Sequence, residues 1–167
     1  VRHSLTLAGT LDFPPLFIYS YYILGMVHGT LFALEAACAS LHEAAAINER
    51  IKGIPRSRLF SEIIAATYCM SYALAEEWPQ AYEYALQAQE ARRDHVPYRW
   101  SPTLWYETQA LVCAGDIEVA EQGVRRFGEL AERGGKINPR DRVAYLQSLA
   151  TLASAQGATN QALAHLQ

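Results

Sequence analysis

Chemistry in this chain would have to start from its histidines, cysteines and acidic residues, and the sharpest candidate is the run His42-Glu43-Ala44-Ala45-Ala46. It opens as a zinc-hydrolase helix does, with a histidine followed by a glutamate that could act as base. The second histidine of that motif belongs one helical turn further on, where Ala46 stands, so two imidazoles cannot face one metal. His42 and Glu43 therefore read as part of a polar helix face. His3, His28, His95 and His165 have no carboxylate or cysteine at ligand spacing. Cys38, Cys69 and Cys113 are far apart, among apolar or small neighbours. They are expected to be small core residues in a reduced compartment, with no zinc pair, redox pair or disulfide framework. No glycine cluster precedes a Lys-Ser or Lys-Thr pair, and no Gly-x-Ser-x-Gly elbow occurs, so neither a phosphate loop nor a hydrolase nucleophile is expected. The expectation is a protein without metal or cofactor that is not an enzyme.

The residues best suited to recognition are aromatic. Tyr98, Arg99, Trp100, Trp105 and Tyr106 crowd around Pro102. Aromatic rings and arginine anchor interfaces because they desolvate a large area at a low cost in side-chain entropy. The same rings could equally seal a joint between packed helices. Charges along Arg92-Arg93-Asp94 and from Arg125-Arg126 to Arg142 alternate with Glu118, Glu121, Glu129, Glu132 and Asp141. That mixture predicts a solvated helix face with pairs at i,i+4.

Composition sets the frame for these groups. Of 167 residues, 51% are hydrophobic and 19% charged, with a formal net charge of −3. The chain thus has ample material for a core and no broad basic field, so a direct nucleic-acid partner is not expected. Leu16 to Leu34 carries no formal charge and approaches the length of a membrane span. Its tyrosines, Ser20, His28, Thr30 and glycines dilute it, and two buried helices meeting at Gly29 are the better expectation. With no basic segment ahead of a cleavable apolar stretch, a cytoplasmic location is expected and no membrane association.

The elements that must position the aromatic residues are helices. Apolar residues recur at three- and four-residue spacing, as in Val143, Leu146, Leu149, Ala150 and Ala153, and Ala, Glu, Gln and Leu dominate. Prolines at Pro14-Pro15, Pro55, Pro97 with Pro102, and Pro139 mark boundaries, since proline inside a helix removes a hydrogen bond and clashes. Helices are expected at 14–28, 30–50, 57–75, 78–93, 102–114, 116–133, 139–156 and from 158 onward, with Gly134-Gly135 closing the sixth. Four turns repeat: Gly29-Thr30, Glu76-Glu77, Gly115-Asp116 and Gly157-Ala158. Five positions after each stands Leu34, Ala81, Ala120 or Ala162, where a small residue would let the two helices of a hairpin approach to about 8–10 Å.

This set of positions resembles the tetratricopeptide repeat family. The fourth copy supplies Leu146, Leu149-Ala150, Gly157, Ala162 and Leu166; the third supplies Leu104, Leu111, Gly115-Asp116, Ala120, Val124 and Phe127; the second supplies Tyr72, Trp78, Ala81, Ala85 and Ala88. The copies are longer than the standard repeat of about 34 residues. They are similar to the helical sensor regions of bacterial regulators of the maltose-activator type and of related signalling ATPases. The resemblance implies an all-α, right-handed α-solenoid: an N-terminal extension over 1–13, then repeats over 14–56, 57–101, 102–138 and an incomplete 139–167. It implies that the first helix of each pair lines a concave groove holding Tyr19, Met70, Trp105, Gln109, Gln147 and Thr151, with Trp100 and Tyr106 at the aromatic joint. The implied partner is a protein, a peptide or an adjoining domain of the same polypeptide. The family's carboxylate clamp is not carried over, because its Lys, Arg and Asn are missing at these positions. The alternative is a regulatory domain that holds a small ligand between repeats near Trp100, Trp105 and Tyr106. The charge-poor stretch before Ala46 predicts that the first hairpin packs on something further, and the last half-repeat is expected to fray or self-associate after about Gly157.

Overall fold

The computed structural model describes residues 13–54, 56–92, 103–133 and 139–166, together with the single positions 3, 6 and 9. Among them lie eight helices and no strand: α1 Pro14–Thr30, α2 Leu34–Arg50, α3 Ser57–Leu74, α4 Trp78–Arg92, α5 Leu104–Cys113, α6 Ile117–Arg133, α7 Pro139–Ala155 and α8 Thr159–Leu166. The chain is therefore all-α, and Pro14-Pro15 and Pro139 open helices as expected. Pro55, Pro97, Pro102, Gly134-Gly135 and most of the extension over 1–13 lie outside the described residues.

Four hairpins, α1–α2, α3–α4, α5–α6 and α7–α8, turn by one device. A residue with positive φ ends the first helix: Phe32 (φ 58°), Glu76 (φ 60°), Gly115 (φ 82°) and Gly157 (φ 75°). The next N–H reaches back to a carbonyl of the last turn, Ala33 to His28 at 2.9 Å, Glu77 to Tyr72 at 2.9 Å, Asp116 to Leu111 at 2.9 Å and Ala158 to Ala153 at 2.8 Å. This is the Schellman pattern, which satisfies carbonyls that the helix end would otherwise leave open. The carbonyl of that same residue then accepts from an alanine N–H four positions on, Ala37, Ala81, Ala120 or Ala162, and so starts the second helix. All four alanines are buried, where their small size lets the paired helices approach.

This corrects the first copy. Its turn is not at Gly29, and the residue equivalent to Ala81 is Ala37, with Leu34 only half-buried at the start of α2. Gly29 lies inside α1 for another reason: a Cβ there would stand 2.5 Å from Ser71 Oγ, so it grants the close approach of α3. Phe32 takes the left-handed conformation instead.

Packing follows the chain. Within each hairpin the two helices touch, the second helix of each hairpin packs on the first helix of the next, and α1, α3, α5 and α7 touch in succession. Ile18, Leu41, Phe60, Ile64 and Tyr68 join the first hairpin to the second, while Ala85, Leu111, Val124 and Leu152 belong to a cluster that runs through the other three. Cys69 is buried and Cys38 half-buried, but Cys113 is exposed and not the core residue expected. His42 and Glu43 are exposed on α2.

A side chain in the left-handed region costs about 1–2 kcal/mol, partly offset by the entropy glycine loses on folding. Phe32→Gly and Glu76→Gly should therefore each raise stability by about 0.5–1 kcal/mol, whereas Gly115→Ala and Gly157→Ala should lower it. Urea denaturation followed by helical circular dichroism measures both; a loss of stability in Phe32→Gly would mean that its ring, not its backbone, governs the turn.

Candidate interaction surface

The first helices α5 and α7 bring several of the expected groove residues onto one surface. Trp105 Nε1–H donates to Thr151 Oγ1 at 3.3 Å, and the Thr151 hydroxyl donates to the Gln147 carbonyl at 2.9 Å. The Trp105 and Tyr106 rings lie 5.0 Å apart at 49°. Trp105, Tyr106, Gln109, Gln147 and Thr151 are all half-buried, each with part of its surface in water. Burial pushes the Tyr106 hydroxyl above its ordinary pKa. The surface is uncharged and mixed, with indole, phenol, amide and hydroxyl groups. Such a patch desolvates cheaply and still offers hydrogen bonds to a peptide backbone.

Two other expected residues stand apart. Met70 is buried, its Cε methyl against Gly29, so it belongs to the joint between the first two hairpins. Tyr19 is exposed on α1 and meets Phe60 edge-on at 5.2 Å. Trp100, with Tyr98 and Arg99, lies outside the described residues.

Sequence reasoning missed a buried ion cluster at the joint of the second and third hairpins. Arg92, placed in a solvated charge run by its sequence, has a side chain only 12% exposed. Its Nε–H donates to Glu62 at 2.7 Å, and its two terminal nitrogens donate in parallel to both oxygens of Glu107 at 3.1 Å. Glu62 and Glu107 are buried, and Thr103 Oγ1 donates to Glu107 at 3.1 Å. Arg126 donates to the Arg92 carbonyl at 3.1 Å. Burial would lower the Arg92 pKa, but the carboxylates of Glu107 and Glu62 outweigh it and hold the guanidinium above its usual value. The planar fork satisfies α3 and α5 at once from the end of α4, a geometry lysine could not reproduce. The only sequence signal was Glu62 standing before the apolar run Ile63-Ile64-Ala65-Ala66.

At the joint of the first and second hairpins, three tyrosine rings lie nearly parallel: Tyr68 and Tyr84 at 4.4 Å, Tyr72 and Tyr84 at 5.6 Å. Tyr68 donates to the Cys38 carbonyl at 3.2 Å. Burial raises the pKa of Tyr68 and of Tyr84, and a hydrogen bond with Cys38, aided by burial, pushes Tyr72 up to about 12.

A cavity of about 420 Å³ opens beside this joint, lined by Asn48, Lys52, Ser57, Arg58 and Ser61 among others. Asn48 Nδ2 donates to the Ser57 carbonyl at 3.1 Å and to Ser61 Oγ at 2.9 Å, while its buried Oδ1 accepts no bond. Among the described residues, no three His, Cys, Asp or Glu gather as metal ligands would, and no helix is long and apolar enough to cross a membrane. Compared with known proteins, the chain matches no family model, no curated protein and no solved structure.

Two outcomes follow from this chemistry. Arg92→Met leaves two buried carboxylates without their counter-charge and should cost about 3–5 kcal/mol; Glu62→Leu/Arg92→Met/Glu107→Leu together should recover most of it, as read by urea denaturation. A triple variant no more stable than the single one would show that the ions do more than offset one another. For the tyrosines the protonated form is the one the fold favours. A group whose pKa rises from 10.0 unfolded to about 12 folded, as in Tyr72, stabilises fully below pH 10 and loses that contribution as pH climbs to 12. Ultraviolet titration should therefore show Tyr68, Tyr72 and Tyr84 ionising above their ordinary range and together with loss of helix; ionisation of all three near pH 10 in an intact fold would contradict their burial.

Proposed function

We propose that the chain is a right-handed α-solenoid of the tetratricopeptide type, a protein-interaction or sensor module of a larger cytoplasmic signalling or regulatory protein. Neighbour-on-neighbour packing of four hairpins with one turn design supports the solenoid reading. The observation that carries the function is the half-exposed, uncharged surface of Trp105, Tyr106, Gln109, Gln147 and Thr151 on successive first helices. An extended peptide or an amphipathic helix of a partner domain would lie across it, with Trp105 as anchor and Gln109 and Gln147 as hydrogen-bonding groups. No step of catalysis is assigned to these residues. The net charge of −3 speaks against a direct nucleic-acid partner.

The cavity at Asn48 favours one second reading, a ligand-sensing regulatory domain of a transcriptional activator or signalling ATPase, with a small molecule bound between repeats. The orphaned Oδ1 would accept from such a ligand.

Tryptophan fluorescence separates the two. Titration with a library of uncharged amphipathic peptides should give a saturable shift that Trp105→Ala weakens by about tenfold or more while helical circular dichroism holds. A response to a metabolite panel that Asn48→Ala removes and Trp105→Ala leaves intact would transfer the function to the cavity. Silence from every peptide would sink the groove reading.

A further inference from the structure

The stretch that leads from the first hairpin into the second concentrates positive charge. Arg50, Lys52, Arg56 and Arg58, four of the chain's 14 Lys and Arg, stand within nine positions, and Glu49 is the one acid in residues 49–58. The chain as a whole carries −3, so this segment has the opposite sign to the rest. The cavity of about 420 Å³ lies between the two helix ends that it joins, with Asn48, Glu49 and Lys52 on the α2 side and Ser57, Arg58 and Ser61 on the α3 side. That volume falls within the range of small-molecule pockets.

The lining favours an anion. Its one carboxylate, Glu49, pairs with Lys52 at 3.0 Å, but these side chains are 65% and 75% exposed, and so loose a contact yields readily to a ligand. Arg58 keeps its charge at any ordinary pH and has five N–H donors, enough to serve more than one acceptor. Helix α3 begins at the cavity wall with Ser57, has no acid in its first turn and no side chain capping it, so its dipole adds to the pull on negative charge. The facing end of α2 opposes this less, because the Asn48 and Glu49 carbonyls already accept from the N–H groups of Ile51 at 3.1 Å and Lys52 at 3.2 Å. One group calls for the opposite partner. The Ser57 carbonyl can only accept, so its bond from Asn48 Nδ2 at 3.1 Å fixes which end of the amide is which. Asn48 is only 5% exposed and its Oδ1 has no donor, a deficit that an N–H or O–H group brought into the cavity would relieve.

We propose, building on the second reading above that this cavity holds a small molecule, that its ligand is a small organic acid with a hydroxyl or amino group beside its charge. The anionic head, carboxylate or phosphate, sits against Lys52, Arg58 and the start of α3, and the neighbouring hydroxyl or amine donates to Asn48 Oδ1. Asn48 on α2 is itself bonded to Ser57 and Ser61 on α3, so a ligand held by both helices fastens the first hairpin to the second.

Isothermal titration calorimetry of the full chain with matched probes tests this. Glycerate and glycerol 3-phosphate carry both groups, propionate the anion alone and glycerol the hydroxyls alone. At low salt, glycerate or glycerol 3-phosphate should bind about tenfold or more tighter than propionate and glycerol, and the tighter of the two tells carboxylate from phosphate. Lys52→Gln and Arg58→Gln should each weaken that binding about tenfold, whereas Arg125→Gln, which removes one charge from α6, should leave it unchanged. Lys52 and Arg58 are exposed, so circular dichroism should show full helix in both variants. Asn48→Ala should erase the advantage over propionate; should this buried substitution unfold the chain, the wild-type comparison of glycerate with propionate carries the same information. Glycerol binding as tightly as glycerate, or affinity indifferent to Lys52→Gln and Arg58→Gln, overturns the acid and leaves a cavity for a neutral ligand. Silence from all four probes also overturns it, and only silence from a wider metabolite panel as well removes the cavity reading beneath it.

Discussion

Everything in this fold hangs on one backbone hydrogen bond, made four times: the N–H that follows a left-handed residue bonding back to the last turn of the helix just ended. It reverses the chain in three residues and at the same time fixes where the next helix begins. Because the second helix starts from the carbonyl of the residue whose N–H makes this bond, the alanine four positions after that residue always lands at the crossing of the two helices. A change at the turn would therefore shift the whole following helix against its partner, and with it every contact that helix makes to the next hairpin. The tolerance of this device is shown by its occupants: two glycines, but also Phe32 and Glu76, whose backbone strain is outweighed by the packing that the turn makes possible.

Much of this was legible in the sequence, and the failures have a common cause. Helix identity and most boundaries came from periodicity and proline placement, because those signals are local. The first turn was misplaced by reading Gly29 as a turn former. A glycine is needed wherever a Cβ has no room, and nothing local distinguishes that need, here the approach of Ser71, from a need for positive φ. Arg92 was missed for the same reason. A charged residue at the end of a helix among other charges looks solvated until two glutamates from different helices, Glu62 and Glu107, are placed beside it by the packing. Of the residues expected to line a groove, Trp105, Gln109, Gln147 and Thr151 stand at comparable positions on first helices and are half-buried, whereas Met70 shares such a position but is covered by α1.

The ion cluster makes sense as a device of specificity more than of stability. Burying two carboxylates and a guanidinium contributes little net free energy compared with apolar residues of the same volume. What it does is forbid alternatives. With four hairpins built on one plan, any hairpin could in principle pack on any other, and a purely apolar surface would not discriminate. Each internal joint instead carries its own chemistry. The first has Tyr68 bonded to Cys38 within a stack of tyrosines, the second has Arg92 between Glu62 and Glu107, and the third has Trp105 bonded to Thr151 with Phe127 stacked on Tyr145. A hairpin in the wrong order would leave a guanidinium or a carboxylate buried without its partner.

The surface formed by Trp105, Gln109, Gln147 and Thr151 follows the same logic as the internal joints. Its indole, amide and hydroxyl groups are directional, and they are spaced along two helices that the Trp105–Thr151 bond and the packing of α5 on α7 hold together. Under the proposed interaction role, selectivity toward a partner would rest on those groups, since a directional donor or acceptor left without its match penalises a wrong partner where apolar area alone does not.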